Sequence, residues 1–259
     1  MNLAQRFTPL LVGFAFLAAW QVAVDAAHVP PYILPSPSRV ALTLWVDRVL
    51  LAASLWFTLK VTCAALVAAV IGGGGLALLF ARSPLLERSL YPYAVILQVT
   101  PIVAIAPLII IWVDNIWAAL LICAWIVAFF PVLSNTSLGL HSTDPNLEAL
   151  FKLYGARPSQ RLRYLALPTA LPYFLGGLRI SGGLALIGAV VAEFVAGAGG
   201  RESGLAYRIL ESGYRLDIPR MFAALFLISV TGIAIFGLLS ALSRLLLKNW
   251  HESSIEREL

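Results

Sequence analysis

Long apolar stretches without Asp, Glu, Lys or Arg alternate with short polar segments along the whole chain. A bilayer with a hydrocarbon core of roughly 30 Å is crossed by a helix of about 20 apolar residues. Six stretches meet that length if two of them hold one cation each, Lys60 and Arg179, whose long side chains can reach the membrane surface. We therefore predict six membrane-spanning helices, at about residues 7–27, 50–81, 89–113, 115–140, 170–197 and 221–247.

The first stretch has an alternative interpretation as a secretory signal peptide, because it is short and is followed by Ala26 and Ala27. Its apolar segment from Phe7 to Val24 is longer than the about 7–15 residues that are usual in a signal peptide. We therefore favour a spanning helix.

Composition supports a membrane protein. Apolar residues make up 60% of the 259 residues and charged residues 12%, against about 45–50% and about 25% in a soluble domain. This balance excludes a disordered chain, a nucleic-acid-binding domain and a secreted disulfide scaffold. Cys63 and Cys123 lie in apolar runs and the three histidines have no ligand spacing, so we predict neither a disulfide nor a metal site. We expect an all-α membrane protein with a single transmembrane domain over residues 1–259.

The distribution of Lys and Arg indicates the orientation in the membrane. Six spans place both termini on the same side. If that side is the cytoplasm, ten Lys and Arg residues lie inside, counting Arg244 at the inner end of the last span, and six lie outside. Because cytoplasmic loops carry an excess of these residues, we predict that both termini are cytoplasmic. The outer loop 199–220 carries four arginines, and its segment Ser203–Arg220 is expected to form a short helix or a lid.

The loop between the fourth and fifth spans is predicted to contain helices of its own. In the segment 144–168, Asp144 followed by Pro145 predicts the start of a helix. Apolar residues then recur at helical spacing, and Glu148 and Lys152 are spaced to form an i,i+4 ion pair. Gly155 is predicted to end this helix, and a second short helix is predicted to begin at Pro158. The apolar face consists of Leu147, Leu150, Phe151 and Tyr154.

An amphipathic helix of this kind can lie on the lipid surface or dock into a groove of a soluble partner. The sequence resembles the EAA loop of ABC-importer permeases, in which a glycine is followed by nine residues, an aliphatic residue, any residue and Leu-Pro. Here Gly155 is followed by nine residues and then by Leu165, Ala166, Leu167 and Pro168. The chain departs from the pattern on the other side, because Glu148 precedes the glycine by seven residues instead of six.

Other segments resemble the nitrate/sulfonate/taurine branch of these permeases. They are Leu34–Ser38, Thr100–Trp112 and Gly177–Glu193. The resemblance covers nearly the whole chain and implies a type I importer permease in the bacterial inner membrane. It also implies a homodimer, two copies of a separate ATPase and a periplasmic substrate-binding protein. The residues expected to couple this chain to the ATPase are Leu147, Glu148, Leu150, Phe151, Tyr154, Gly155 and Ala156.

The chain contains no GxxxxGK[ST] phosphate-binding loop. We therefore expect a transport subunit that is not an enzyme and binds no cofactor, with ATP and Mg²⁺ held by the partner ATPase. The 144–168 loop is the sizeable cytoplasmic feature through which the energy of ATP could reach the spans.

Polar residues within the spans are candidates for the translocation pathway. Glu193 stands out, because an acid deep in a bilayer faces the bundle interior and is by default a functional candidate. It ends a stripe of small residues, Ser181, Ala185 and Ala189, that predicts close packing against another helix. A structural role for Glu193 near the outer interface is an equal alternative. Further pathway candidates are Gln98, Thr100, Asn135 and Thr136.

Three prolines are expected to break the third span, namely Pro92, Pro101 and Pro107. A self-sufficient secondary transporter is a remote alternative, because Glu193 is the one coupling carboxylate and the halves show no duplication. An intramembrane enzyme is more remote still, since no histidine has a partnered acid. The substrate implied by the resemblance is a sulfonate-, taurine- or nitrate-like anion or zwitterion, with a pyrimidine-like vitamin precursor as the alternative.

Overall fold

The computed structural model describes residues 3–197 and 203–248, and every regular element within them is helical. The elements are α1 (Leu3–Ala26), α2 (Pro37–Val46), α3 (Arg48–Arg82), α4 (Pro84–Val99), α5 (Ile102–Trp112), α6 (Ile116–His141), α7 (Pro145–Leu153), α8 (Pro158–Arg161), a π-helical turn (Leu162–Ala166), α9 (Leu167–Ala196), α10 (Leu205–Tyr214) and α11 (Ile218–Leu247). The predicted all-α class is confirmed.

The predicted spans coincide with these helices, but they differ in how well they meet the requirements for crossing a membrane. Four helical segments of the described chain are long and apolar enough: Arg48–Arg82, Ile116–His141, Pro158–Ala196 and Ile218–Leu247. The pair α4 and α5 would make a fifth span, although its two halves are bent by 100°. The apolar part of α1, Leu11–Ala26, is shorter than these. Length and composition therefore support four or five of the six predicted spans.

The prediction that three prolines break the third span was wrong for two of them. Pro92 lies inside α4 and Pro107 inside α5. The helix ends only before Pro101, where Thr100 has the extended conformation that a following proline favours (φ −71°, ψ 122°). Pro92 and Pro107 remove one backbone donor each, and the helices tolerate that loss.

The described chain divides into two compact units. The first comprises residues 3–57, 197 and 203–230, and the second comprises residues 58–196 and 231–248. Arg201, at the start of the predicted outer loop, lies outside the described residues. Within the first unit, α10 contributes Leu205 and Ile209 to a buried core with Leu51 and Ala223.

A buried arginine anchors α10 in the first unit. Arg208 is 9% exposed, and its Nε donates to Ser54 Oγ of α3 at 3.0 Å. Its Nη2 donates to Ser203 Oγ at 2.9 Å and its Nη1 to Glu211 Oε2 at 2.8 Å. The predicted short helix of the outer loop is therefore present, and both its apolar face and its buried cation have partners within the unit.

The second unit is centred on the contact between α6 and α9. Small residues allow the two backbones to approach closely: a Cβ atom added at Gly177 would lie 2.6 Å from the carbonyl oxygen of Pro131, and one at Gly188 would lie 2.8 Å from Cα of Ala124. Ser181 is fully buried and donates to the carbonyl oxygen of Ala128 at 2.7 Å. The predicted packing of the small-residue stripe against another helix is confirmed.

Candidate functional site

The helix predicted in the 144–168 loop is α7, and its capping explains its bounds. The Asp144 carboxylate accepts a hydrogen bond from the backbone N–H of Asn146 at 2.7 Å, and Pro145 occupies the first turn. At the other end, Gly155 has a φ of +67°, which an L side chain rarely adopts. Its neighbour Ala156 donates its N–H to the carbonyl oxygen of Phe151 at 2.9 Å. These bonds close the last turn, as the sequence predicted.

The apolar face of α7 is uncovered. None of its nine residues is buried, and Leu147, Leu150 and Tyr154 are exposed by 46%, 45% and 81%. Leu153, which was not among the residues predicted for this face, is 83% exposed and extends the same surface. Phe151, predicted to lie on this face, is only half-exposed. We call Leu147, Leu150, Leu153 and Tyr154 the α7 apolar face.

Glu148 is turned toward its own chain and has two cationic neighbours. Lys152 Nζ lies 3.2 Å from Glu148 Oε1, which confirms the predicted i,i+4 pair. Arg161 Nη2 contacts the same carboxylate oxygen. This second contact was not predicted, because Arg161 is 13 residues away and belongs to α8. Glu148 and Arg161 are each about one third exposed.

The predicted second helix is short and runs directly into a spanning helix. α8 has four residues and is followed without interruption by the π-helical turn and α9. Leu165, in the π-helical turn, is buried, whereas the predicted coupling residue Ala156 is half-buried between α7 and α8. Isolated π-helical turns are often found at functional sites. The α8 end of the loop is thus continuous with α9, and the α7 end is connected through Ser142–Asp144 to α6.

A cavity of about 590 Å³ opens where this loop meets the ends of α3 and α6. Its lining includes Arg82, His141, Glu148 and Arg161. His141 Nδ1 donates to the carbonyl oxygen of Ser137 at 2.8 Å, and its Nε2 lies 3.4 Å from Glu87 Oε2. The contact with Glu87 joins α4 and α6 in the same unit and was not predicted.

Most pathway candidates bond to their own helices. Thr100 Oγ1 donates to the carbonyl oxygen of Ile96 at 2.7 Å, and Gln98 is exposed. Asn135 Nδ2 donates to the carbonyl oxygen of Pro131 at 2.9 Å, and Thr136 Oγ1 to that of Val132 at 2.6 Å. These four residues are therefore not joined by hydrogen bonds to one another.

Glu193 differs from the other candidates because it is bonded across helices. Its side chain is buried, at 3% exposure, and Oε1 accepts a hydrogen bond from Thr58 Oγ1 of α3 at 2.8 Å. Thr58 was not singled out in the sequence. A hydrogen bond between residues 135 positions apart depends on tertiary structure, which the pattern of one helix does not reveal.

The chain is similar to known transport proteins over most of its length. Residues 40–248 match the family described as "Binding-protein-dependent transport system inner membrane component". The formylaminopyrimidine transport permease protein ThiX of Halalkalibacterium halodurans is 33% identical over 245 residues, which cover 94% of this chain and 96% of ThiX. The putative aliphatic sulfonates transport permease protein SsuC of Bacillus subtilis is 31% identical over 250 residues, covering 94% of this chain and 87% of SsuC.

The fold also has a counterpart among solved structures. The chain is similar to a crystal structure of an amino acid ABC transporter, with a TM-score of 0.64, 20% identity and coverage of 78% of this chain and 97% of that one. The helical fold of the described residues is thus shared with a solved ABC transporter chain. The chain belongs to the binding-protein-dependent transport system inner membrane components, the membrane-spanning permease subunits of ABC importers.

Proposed function

We propose that this permease imports a small organic anion or zwitterion of the sulfonate, taurine or nitrate type, delivered by a periplasmic binding protein. The similarity to SsuC over 94% of the chain supports this substrate class. A pyrimidine-like vitamin precursor is the second candidate, because ThiX is similar over the same share of the chain at 33% identity.

The proposed assembly is a homodimer of this chain with two ATPase subunits, and both termini lie in the cytoplasm. The excess of Lys and Arg on the side of the termini supports that orientation. It places the 144–168 loop in the cytoplasm, where the ATPase subunits would bind it. ATP and Mg²⁺ would be held by those subunits, and this chain would perform no chemistry.

The observation that carries the proposal is the bare α7 apolar face on a loop between two spans. A contiguous apolar surface on a helix fits a hydrophobic groove of a partner through residues at i, i+3 and i+7. In this chain those positions are Leu147, Leu150 and Tyr154. Gly155 and Ala156 would set the orientation of α7 toward the ATPase. Phe151, which is half-exposed, would support α7 from the side that faces its own chain.

The proposed mechanism is alternating access. Closure of the ATPase subunits on ATP would move α7, and the movement would reach α9 through α8 and the π-helical turn. The spans would then switch between outward-open and inward-open cavities. We propose Gln98, Thr100, Asn135, Thr136 and Glu193 as pathway or gate residues. Of these, Glu193 with its buried bond to Thr58 is the one we would test first as a gate residue.

Reconstitution tests the proposal directly. The chain, its ATPase and its binding protein are placed in liposomes, and uptake of radiolabelled taurine and of a formylaminopyrimidine is measured with and without ATP. We expect ATP-dependent uptake of taurine and loss of uptake when the ATPase is omitted. Uptake of the pyrimidine alone would select the second substrate class. Uptake by the chain without the ATPase would contradict the proposed mechanism.

A further inference from the structure

The charged side chains of α7 make contacts that have no role in the proposed function. Glu148 is the acid of the coupling loop, yet its Oε1 contacts two cations of its own chain, Lys152 and Arg161. Lys152 lies on the same helix, so its contact adds only local helix stability. Arg161 lies on α8, beyond the turn at Gly155, so its contact joins two helices.

The position of Glu148 on the helix explains why it faces inward. In the EAA pattern the acid precedes the glycine by six residues, whereas Glu148 precedes Gly155 by seven. One residue corresponds to a rotation of about 100° around an α-helix, because there are 3.6 residues per turn. Glu148 is therefore one third exposed and contacts α8, while Leu150 and Tyr154 on the α7 apolar face remain exposed.

The backbone between α7 and α8 is a weak mechanical connection. It passes through the left-handed turn at Gly155, and Leu153, Tyr154 and Gly155 are all exposed there. α8, in contrast, continues without a break through the π-helical turn into α9, as one helical segment over Pro158–Ala196. A force applied to α7 reaches that segment through the turn or through the contact between Glu148 and Arg161.

We infer that Glu148 and Arg161 form an ion-pair link that makes α7 and the start of the α9 segment move as one body. Glu148 is then a positioning residue that acts within this chain, and it does not bind the ATPase. Arg161 is its necessary partner, whereas Lys152, whose side chain is 62% exposed, is dispensable. The inference rests on the proposed function, because it assigns the link to the transmission of movement from the ATPase.

Charge exchange in the full complex tests the link. We would compare Glu148→Gln, Arg161→Gln and the double exchange Glu148→Arg with Arg161→Glu, each measured as substrate transported per ATP hydrolysed. The double exchange is built with Lys152→Gln, because an arginine at position 148 would repel Lys152. Lys152→Gln alone is the matched control, since it removes the other cation that contacts Glu148.

We expect each single variant to lower transport per ATP by about twofold to fivefold, the range that a partly exposed ion pair can contribute. Co-purification of the ATPase and the melting temperature are expected to stay at the wild-type level. The double exchange should restore at least half of the lost transport, and Lys152→Gln should resemble the wild type. A merely structural pair would change the melting temperature and leave the ratio of transport to hydrolysis unchanged.

Two results would overturn the inference. The first is wild-type coupling in Arg161→Gln together with loss of ATPase binding in Glu148→Gln, which would make Glu148 a direct contact of the ATPase. The second is a double exchange that transports no better than the single variants. If the wild-type chain fails to retain the ATPase at all, the proposed function fails, and the coupling role of the pair fails with it.

Discussion

Two short amphipathic helices of similar length, α7 with nine residues and α10 with ten, have opposite surroundings. α10 buries Leu205 and Ile209 within its unit and satisfies a buried arginine with three side chains. α7 buries none of its residues, and its Glu148 is joined to α8 by an ion pair with Arg161. The same kind of sequence pattern therefore produces one helix that is part of a core and one that is a free surface.

The difference shows what amphipathicity alone can and cannot indicate. An apolar stripe predicts that one face of a helix will be covered, but it does not identify the covering surface. α10 is covered by its own chain. α7 keeps its apolar face exposed between two spans of a permease, which is the arrangement expected of a helix that another subunit covers. Substitutions on the two helices should therefore affect different properties.

Replacing a core residue of α10 should affect folding. Leu205 is fully buried, and Leu205→Asp would place an unpaired charge in an apolar core, which destabilises by about 4 kcal/mol or more. We expect little folded protein in detergent, measured by fluorescence-detected size exclusion and thermal melting. Tyr214→Asp, at an 83% exposed position of the same helix, is the control and should melt near the wild-type temperature.

Replacing a residue of the α7 apolar face should affect binding instead. We expect Leu150→Asp to lower the affinity for the ATPase by about a hundredfold, which is the typical contribution of a central apolar residue to an interface. The melting temperature of the isolated chain should not change, because Leu150 covers no core. Ala149→Asp introduces the same charge at the neighbouring exposed residue and should bind more tightly than Leu150→Asp. A fall in melting temperature for Leu150→Asp would show that α7 packs against its own chain.

The anchoring of α10 depends on Arg208. Arg208→Gln removes charged hydrogen bonds to Ser203 and Glu211 and should lower the free energy of unfolding by about 2 kcal/mol. The measurement is the shift in thermal midpoint with ATPase binding followed in parallel, which should remain normal. Arg215→Gln is the matched control, because Arg215 also pairs with Glu211 but is 67% exposed. Equal shifts for the two variants would argue against a special role for the buried arginine.

The smallest expected effect is that of a substitution at the C-terminal end of α7. Gly155→Ala introduces a Cβ atom at a φ of +67°, which strains the backbone by about 1 kcal/mol. We expect ATPase affinity to fall a few-fold with an unchanged melting temperature, measured by titration of the purified subunit. Gly155→Asn should lie closer to the wild type, since asparagine tolerates the left-handed conformation. If alanine and asparagine behave alike, the turn geometry does not control docking.

Local signals predicted the helix of the 144–168 loop well because that helix is defined by neighbours in sequence. Asp144, Pro145 and Gly155 act on the adjacent backbone, and all three perform the role that the sequence predicted. The third span shows the limit of such reasoning. Its three prolines carry the same local signal, yet Pro101 alone of the three ends a helix, whereas Pro92 and Pro107 lie inside α4 and α5 and are exposed.

The contacts that join distant elements could not be predicted from one sequence. The bond from Thr58 to Glu193 and the pair of Glu148 with Arg161 depend on how α3, α8 and their neighbours are placed in space. The stripe from Ser181 to Ala189 indicated that a helix would pack there, but nothing in it specified α6 as the partner. Helical periodicity gives the buried face of an element, whereas the identity of its neighbour is a property of the fold.

The central claim is that α7 presents its apolar face to the cytoplasm and is covered there by an ATPase subunit. A single cysteine at position 150, with Cys63 and Cys123 replaced by alanine, can be probed with a membrane-impermeant maleimide in inside-out vesicles. The claim predicts rapid labelling in vesicles without the ATPase and protection of at least about tenfold when the ATPase is bound. Labelling only from the opposite side of the membrane, or labelling that the ATPase leaves unchanged, would contradict it.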